Sequence, residues 1–254
     1  MAAKRSVRSK RTQILFAKTC NDVKIAIIMV FNSQEHWNKS HLNHPKDRQP
    51  SNYAKDKERL FPRHSIVCDL GGGDGTDSLY FVGKGHNAYL LDIANLALKR
   101  AEEKARAKGF EKSLVTTPID LGKDKIPYEN NFFDVVYSRL SLHYFYQERM
   151  VEIFKDIYRV LKVGGIVYIV IKSPEDKKEM EWLESHDEKL EDGIYSENGL
   201  IKTRFTKEQY RSMLQEADIK NFEIKDYTEE FGKQKIFVKS KAEKLLYIEI
   251  IIKK

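Results

Sequence analysis

Ser65-Ile66-Val67-Cys68-Asp69-Leu70-Gly71-Gly72-Gly73-Asp74-Gly75-Thr76 is the stretch on which the fold turns. Its first half is of strand length and mostly apolar, Asp69 apart, and reads as a buried strand. The glycines then stop the strand abruptly. Lacking a Cβ, they tolerate backbone that other residues avoid and let a ligand lie against the main chain. Thr76 to Gly83 reads as a helix, so the glycines occupy a strand-to-helix turn.

Downstream the same rhythm repeats. Strands are expected at 88–93, 114–119, 132–137 and 166–171, with helices at 95–108 and 148–162 between them. Gly109 is the C-terminal stop of the first helix, and apolar residues at 150, 153, 154, 157, 158 and 161 make one face of the second. Gly164-Gly165 is expected to end that helix. A further helix over 206–217 has Thr206 as N-cap and Glu208 in its first turn, and strands near 221–228 and 245–252 close the chain. Short helices are expected around 33–40 and 53–60, and 173–203 is a charged, acid-rich insertion. Strands alternating with helices predict an α/β, doubly wound, Rossmann-like sheet, mostly parallel, with helices on both faces. Such sheets bind ligands at the carboxyl ends of their strands, where this glycine turn lies.

The glycine spacing narrows the ligand. A dinucleotide fingerprint needs G-x-G-x-x-G, but the third position falls on Thr76 counted from Gly71 and on Ser78 counted from Gly73. A phosphate-binding P-loop needs Lys-Ser or Lys-Thr after the last glycine, and none is there. Asp69-x-Gly71-x-Gly73-x-Gly75 instead resembles the acid-x-G-x-G-x-G loop of class I S-adenosylmethionine-dependent methyltransferases. The resemblance covers roughly residues 32–252. It includes Asp92 at the end of the second strand, Asp120 after the third, Phe133-Asp134-Val135-Val136-Tyr137-Ser138 in the fourth, and Val160-Leu161-Lys162-Val163-Gly164-Gly165 before the fifth. Val163 departs from the family's usual proline. Trp37, Pro50-Ser51, Gly83-x-Gly85-His86 and Arg204-Phe205-Thr206 look most like the small-molecule branch of tellurite-resistance and thiopurine-type enzymes.

The resemblance implies a seven-stranded sheet and S-adenosyl-L-methionine as cofactor. It places Asp69, Gly71, Gly72, Gly73 and Gly75 against the cofactor's methionyl and ribose parts. Asp92, with Ile93, would receive the ribose hydroxyls, as a carboxylate can accept two such bonds at once. Asp120, with Leu121, would lie near the adenine, and Ser138 would border the site. The loop after the fourth strand faces the methyl in the family, which makes His143 the candidate base. The competing reading is a packing histidine that orients the loop. Trp37, Tyr53, Arg139 and Tyr144 are candidates for the substrate wall or lid, and residues 33–62 and 173–205 for lid segments.

Composition sets outer limits. The chain has 254 residues, 41% hydrophobic, enough for one domain with additions, and two cysteines, Cys20 and Cys68, too few for a secreted disulfide framework. No apolar run reaches the ~20 residues of a membrane span. A cytoplasmic location is therefore expected. Of the net charge of +7, +6 lies in residues 1–28, where Lys4, Arg5, Arg8, Lys10, Arg11, Lys18 and Lys24 face Asp22 alone. The rest of the chain is nearly neutral and offers no broad surface for phosphate backbones. Residues 1–31 are set apart as a basic leader: a transit peptide, a nucleic-acid-binding arm, or, the favoured reading, a disordered or artefactual extension with Met29 as the true start.

Three special chemistries are excluded. Ser138-Arg139-Leu140-Ser141 is unlike the acid-Pro-Pro-aromatic signature of base-amino methyltransferases. Cys68 lies inside the first strand, where it cannot act as a pyrimidine-attacking nucleophile. His36, His41 and His44 have no cysteine partner and no closed metal-ligand spacing, so no metal is expected. A small-molecule methyl acceptor is the leading reading. An RNA or protein methyltransferase using the basic leader and a non-catalytic cofactor-binding scaffold stay open.

Overall fold

The computed structural model of the protein describes residues 31–43, 45, 47–231 and 243–254. The expectations for residues 1–28, the choice of Met29 as start, and His44 lie outside the described residues. Ser33–Lys254 forms one compact unit.

Seven strands form the main sheet: β1 (Ile66–Leu70), β2 (Asn87–Asp92), β3 (Leu114–Pro118), β4 (Phe133–Arg139), β5 (Leu161–Lys172), β9 (Phe222–Phe231) and β10 (Glu243–Lys253). Their order is β3-β2-β1-β4-β5-β10-β9. All neighbours pair in parallel except β10, which runs antiparallel to both β5 and β9. The expected seven-stranded, mostly parallel α/β sheet is therefore the one observed. The strand order reverses between β1 and β4, and the crevice at their carboxyl ends is where such a sheet takes a ligand.

Helices cover both faces. One face is packed by α5 (Gln147–Val160) and α7 (Lys207–Glu216), whose Ile153, Phe154, Ile157, Tyr210 and Met213 meet Val136, Ile169, Ile171 and Ile250. Burying each such apolar side chain contributes about 1.5–3 kcal/mol, so an acid at Ile157 would undo the α5 contact. The opposite face carries α2 (Asn52–Glu58), α3 (Thr76–Gly83) and α4 (Asn95–Lys108). Beneath α2 and α3 lies an aromatic core of Tyr53, Phe61, Phe81, Tyr137, Tyr168 and Tyr247.

One expectation needs correction. Gly164-Gly165 does not separate helix from strand: α5 ends at Val160 and β5 begins at Leu161. The Gly164 N–H donates to the Lys254 carbonyl at 2.7 Å and the Lys254 N–H to Gly165 at 3.2 Å, so the chain end holds this turn in the ladder. The 173–203 insertion, expected only as charged and acid-rich, has elements of its own. It comprises α6 (Lys177–His186) and a separate antiparallel sheet of β6 (Glu188–Glu191), β7 (Ile194–Glu197) and β8 (Leu200–Thr203). Its two hairpin turns are Asp192-Gly193 and Asn198-Gly199, with Asn198 at φ 51° and Gly199 at φ 90°. Asp-Gly and Asn-Gly favour such left-handed hairpin turns, and that was the signal available in the sequence.

Candidate functional site

At the carboxyl end of β1 the chain enters the left-handed region at Gly71 (φ 69°), Gly73 (φ 60°) and Gly75 (φ 69°). A Cβ on Gly71 would collide with the Ser141 side chain, and one on Gly73 would come within 2.7 Å of the His41 ring. Asp69, just ahead of the loop, is 1% exposed. Its Oδ2 accepts the Ser78 hydroxyl at 2.6 Å, and its Oδ1 has no partner. Burial pushes this carboxyl up to about 8, against the opposing Ser78 bond and with Asp77 and Asp92 adding to the rise.

Asp92 closes β2 and turns back over the loop. Its Oδ2 accepts the Gly73 N–H and its Oδ1 the Ala94 N–H, both at 2.8 Å. Burial raises its pKa while these backbone donors pull the other way. The Ile93 N–H is a third backbone donor, so of the carboxylate's four lone-pair directions one is left for a further donor. Ile93 lies just beyond the strand, not in it, and its carbonyl accepts Gln34 Nε2 at 3.2 Å. Asp120 is part of a turn, accepting the Gly122 N–H at 2.9 Å and pairing with Lys123 at 3.0 Å, next to the buried Leu121.

The helix expected around 33–40, within the expected lid segment, completes this side. In α1 (Ser33–Leu42), Gln34, Asn38 and His41 share one face at i, i+4 and i+7. Gln34 reaches Ile93, Asn38 Oδ1 accepts the Leu96 N–H at 2.9 Å, and the Arg100 guanidinium donates to the His41 carbonyl. Ala94, the N-cap of α4, offers no side-chain oxygen, so Asn38 supplies the missing cap from another helix. Asp74 in the glycine loop is gripped by Arg48 at 2.7 Å and Lys104 at 2.8 Å. Burial alone would raise its pKa, but those two cations outweigh it and hold it down at about 2. Ser51 caps α2 and also bonds Asp77, through its N–H and its hydroxyl, each at 2.8 Å.

On the acceptor side, Trp37 meets Tyr144 edge-on at 4.9 Å between ring centroids, and Tyr144 lies 4.4 Å from His143. His143 is 2% exposed. Burial first, then the charges of Arg204 and Lys172, hold its pKa well below 6.5, so the imidazole is neutral at neutral pH. Burial pushes the Tyr144 phenol up to about 12 against the pull of Arg204.

Three expected site residues sit elsewhere. Tyr53 is fully buried in the aromatic core, 5.0 Å from Tyr227 and 5.6 Å from Tyr137, because α2 packs on the sheet instead of lying over its mouth. Arg139 faces that same core side and donates to Glu229 at 2.8 Å. The Ser138 hydroxyl is wholly buried on the Leu70 carbonyl at 2.9 Å, beside Ser141 on the same oxygen at 3.0 Å, so it shapes the loop from behind. Among the described residues, no group of three or more His, Cys, Asp or Glu side chains is placed to hold a metal ion, and no helix is long and apolar enough to cross a membrane.

Residues 68–169 match the family model described as a methyltransferase domain. The match begins inside β1 and ends inside β5, so it takes in the acid–glycine loop, Asp92, Asp120 and the His143 loop. Neither α1 nor the 173–205 segment falls within it.

The chain is similar to a sarcosine/dimethylglycine N-methyltransferase of Aphanothece halophytica, 30% identical over 112 residues, covering 43% of this chain and 39% of that protein. It is also similar to a phosphoethanolamine N-methyltransferase of Plasmodium falciparum (isolate 3D7), 28% identical over 167 residues, 65% of this chain and 58% of that protein. The chain thus spans about two fifths to three fifths of these relatives. Among solved structures, one described as a SAM-dependent methyltransferase from Methanosarcina mazei superposes with a TM-score of 0.62 at 20% identity, covering 81% of this chain and 99% of that one. At that identity the likeness speaks for the methyltransferase fold alone.

Proposed function

We propose that the protein is an S-adenosylmethionine-dependent methyltransferase acting on a small-molecule acceptor. The observation that carries this reading is the match over 68–169, which coincides with the acid–glycine loop and the Asp92 turn-back. Two features of the site fit the cofactor: a loop whose glycines at positive φ leave main chain open to a ligand, and a buried carboxylate at the end of β2 with a lone-pair direction left beyond its backbone donors. When bound, this cofactor supplies a methyl group on a sulfonium, which an acceptor lone pair displaces in line. The names of the two curated relatives, both N-methyltransferases of small amines, support a small acceptor.

In this reading Asp92 accepts the ribose hydroxyls, the glycine loop lies along the methionyl part, and Asp120 faces the adenine. Trp37 and Tyr144 wall the acceptor, and their ring faces favour a nearby positive charge. His143 orients the loop; a proton placed on it would have to compete with Arg204 and Lys172. Catalysis then rests on proximity and orientation of the reactants. Of residues 33–62, the α1 part acts as a lid, seated by Gln34, Asn38 and His41, and closure excludes water.

Incubation of the full chain with methyl-labelled cofactor and a cell extract, followed by separation of small molecules from polymers, tests the reading. Label in the small-molecule fraction is expected. Label confined to RNA or protein would overturn the acceptor class, and failure to bind S-adenosylhomocysteine in calorimetry would overturn the whole reading.

A further inference from the structure

The insertion comes back against the loop that follows β4. The Thr203 N–H donates to the His143 carbonyl at 2.8 Å, laying β8 along the loop that follows β4. The next residue, Arg204, is 4% exposed. Its Nη1 donates to the Thr203 carbonyl at 2.8 Å and its Nη2 to Glu179 Oε1 at 2.5 Å. Its Nε–H is fully shielded and has no partner, and neither has Nδ1 of His143.

Charge does not balance here. Lys172, at the end of β5, pairs with the other oxygen of the same Glu179 at 2.9 Å, so two cations share one carboxylate. A buried charge needs a partner, and an arginine fork with a free Nε edge is shaped for a planar or tetrahedral oxyanion. Of the insertion's other acids, Asp187 and Glu197 are engaged by Lys202, at 2.9 Å and 2.8 Å. His143, held neutral by its surroundings, can offer Nδ1–H as a donor without adding charge of its own.

We propose that Arg204, Lys172 and His143 form an anchoring subsite for an anionic group, a carboxylate or a phosphate, on the methyl acceptor. Its position beside the His143 loop rests on the methyl-transfer reading, but its anion binding is measurable without it. The anchor fixes which end of the acceptor enters and leaves the other end toward Trp37 and Tyr144. An acceptor lacking an anionic group leaves the Nε edge unpaired, which makes the subsite a determinant of specificity.

The test titrates the full-length protein with sodium phosphate and with sodium acetate against sodium chloride of equal ionic strength, following the melting midpoint and the His143 imidazole nitrogen shifts. A saturable rise with one anion, accompanied by movement of the His143 signal, is expected. Phosphate as the stronger ligand identifies a phosphate-bearing acceptor, and acetate a carboxylate. Lys172→Met should weaken that binding at least tenfold, and Arg204→Lys should do the same because it keeps charge but loses the fork. No response beyond chloride, a His143 signal that stays still, or unchanged affinity in folded Lys172→Met would overturn the proposal. Calorimetry with S-adenosylhomocysteine on the same wild-type sample separates the two readings: its failure removes methyl transfer and leaves the anion result standing.

Discussion

Asp69→Asn is expected to stabilise the protein progressively as pH rises. The Asp69 carboxyl is 1% exposed, has one oxygen without a partner, and is raised by burial from an ordinary 3.8 to about 8. An acid whose folded pKa lies above its unfolded one holds its proton more tightly when folded. Its contribution is intact below about pH 4 and is lost as pH climbs through about 8. At about 1.4 kcal/mol per unit, that gap amounts to something on the order of 5 kcal/mol at alkaline pH. Asparagine keeps an oxygen to accept the 2.6 Å bond from Ser78 and carries no charge to desolvate. Urea denaturation of both proteins from pH 4.5 to 9 should therefore give curves that diverge by about 1.4 kcal/mol per unit and become parallel above about pH 8. A difference constant across the range would refute the reasoning, since Asp69 would then bind protons equally in both states. A loss of this size is a large fraction of a typical domain's stability, and such losses are tolerated at ligand sites.

Asp92→Ala should weaken S-adenosylhomocysteine binding by about 1–3 kcal/mol in calorimetry, because the hydroxyl donors lose a charged acceptor; equal affinity would count against the ribose assignment. Asn38→Ala removes the cap on the Leu96 N–H and should cost about 1 kcal/mol while speeding hydrogen exchange across α1; unchanged exchange would show that α1 is held without it. Lys57→Met strips the buried Glu249 of its 2.5 Å partner and leaves it with a more distant cation, Lys225 at 3.6 Å, so a loss of about 3–5 kcal/mol is expected in denaturation, largely recovered when Glu249→Leu is added. A double variant no more stable than the single one would place the cost in the packing of Lys57 among Tyr53, Tyr168 and Tyr227.

The sequence by itself determined the frame from β1 to β5 and the place of its ligand edge. Unbroken apolar runs such as Ile166 to Ile171, the 3.6-residue face of α5 and the glycines after Leu70 are local signals, each set by a few neighbouring residues. The same locality exposed Asp92 and Asp120 as acids at strand ends. What only the tertiary structure decided are contacts between residues far apart in the chain. Nothing in the polar run of α1 tells that Asn38 caps a helix 58 residues later, or that Arg48 grips Asp74 across 26. Tyr53 and Arg139 looked like site residues because they flank the motifs, yet which sheet face a side chain meets depends on how α2 and β9 dock. The pairing of the Arg204 segment with His143 depends likewise on how the insertion folds back over the sheet. Periodicity records burial along one element; which charges come to share a low-dielectric space is set by how the elements pack, and no local pattern encodes it.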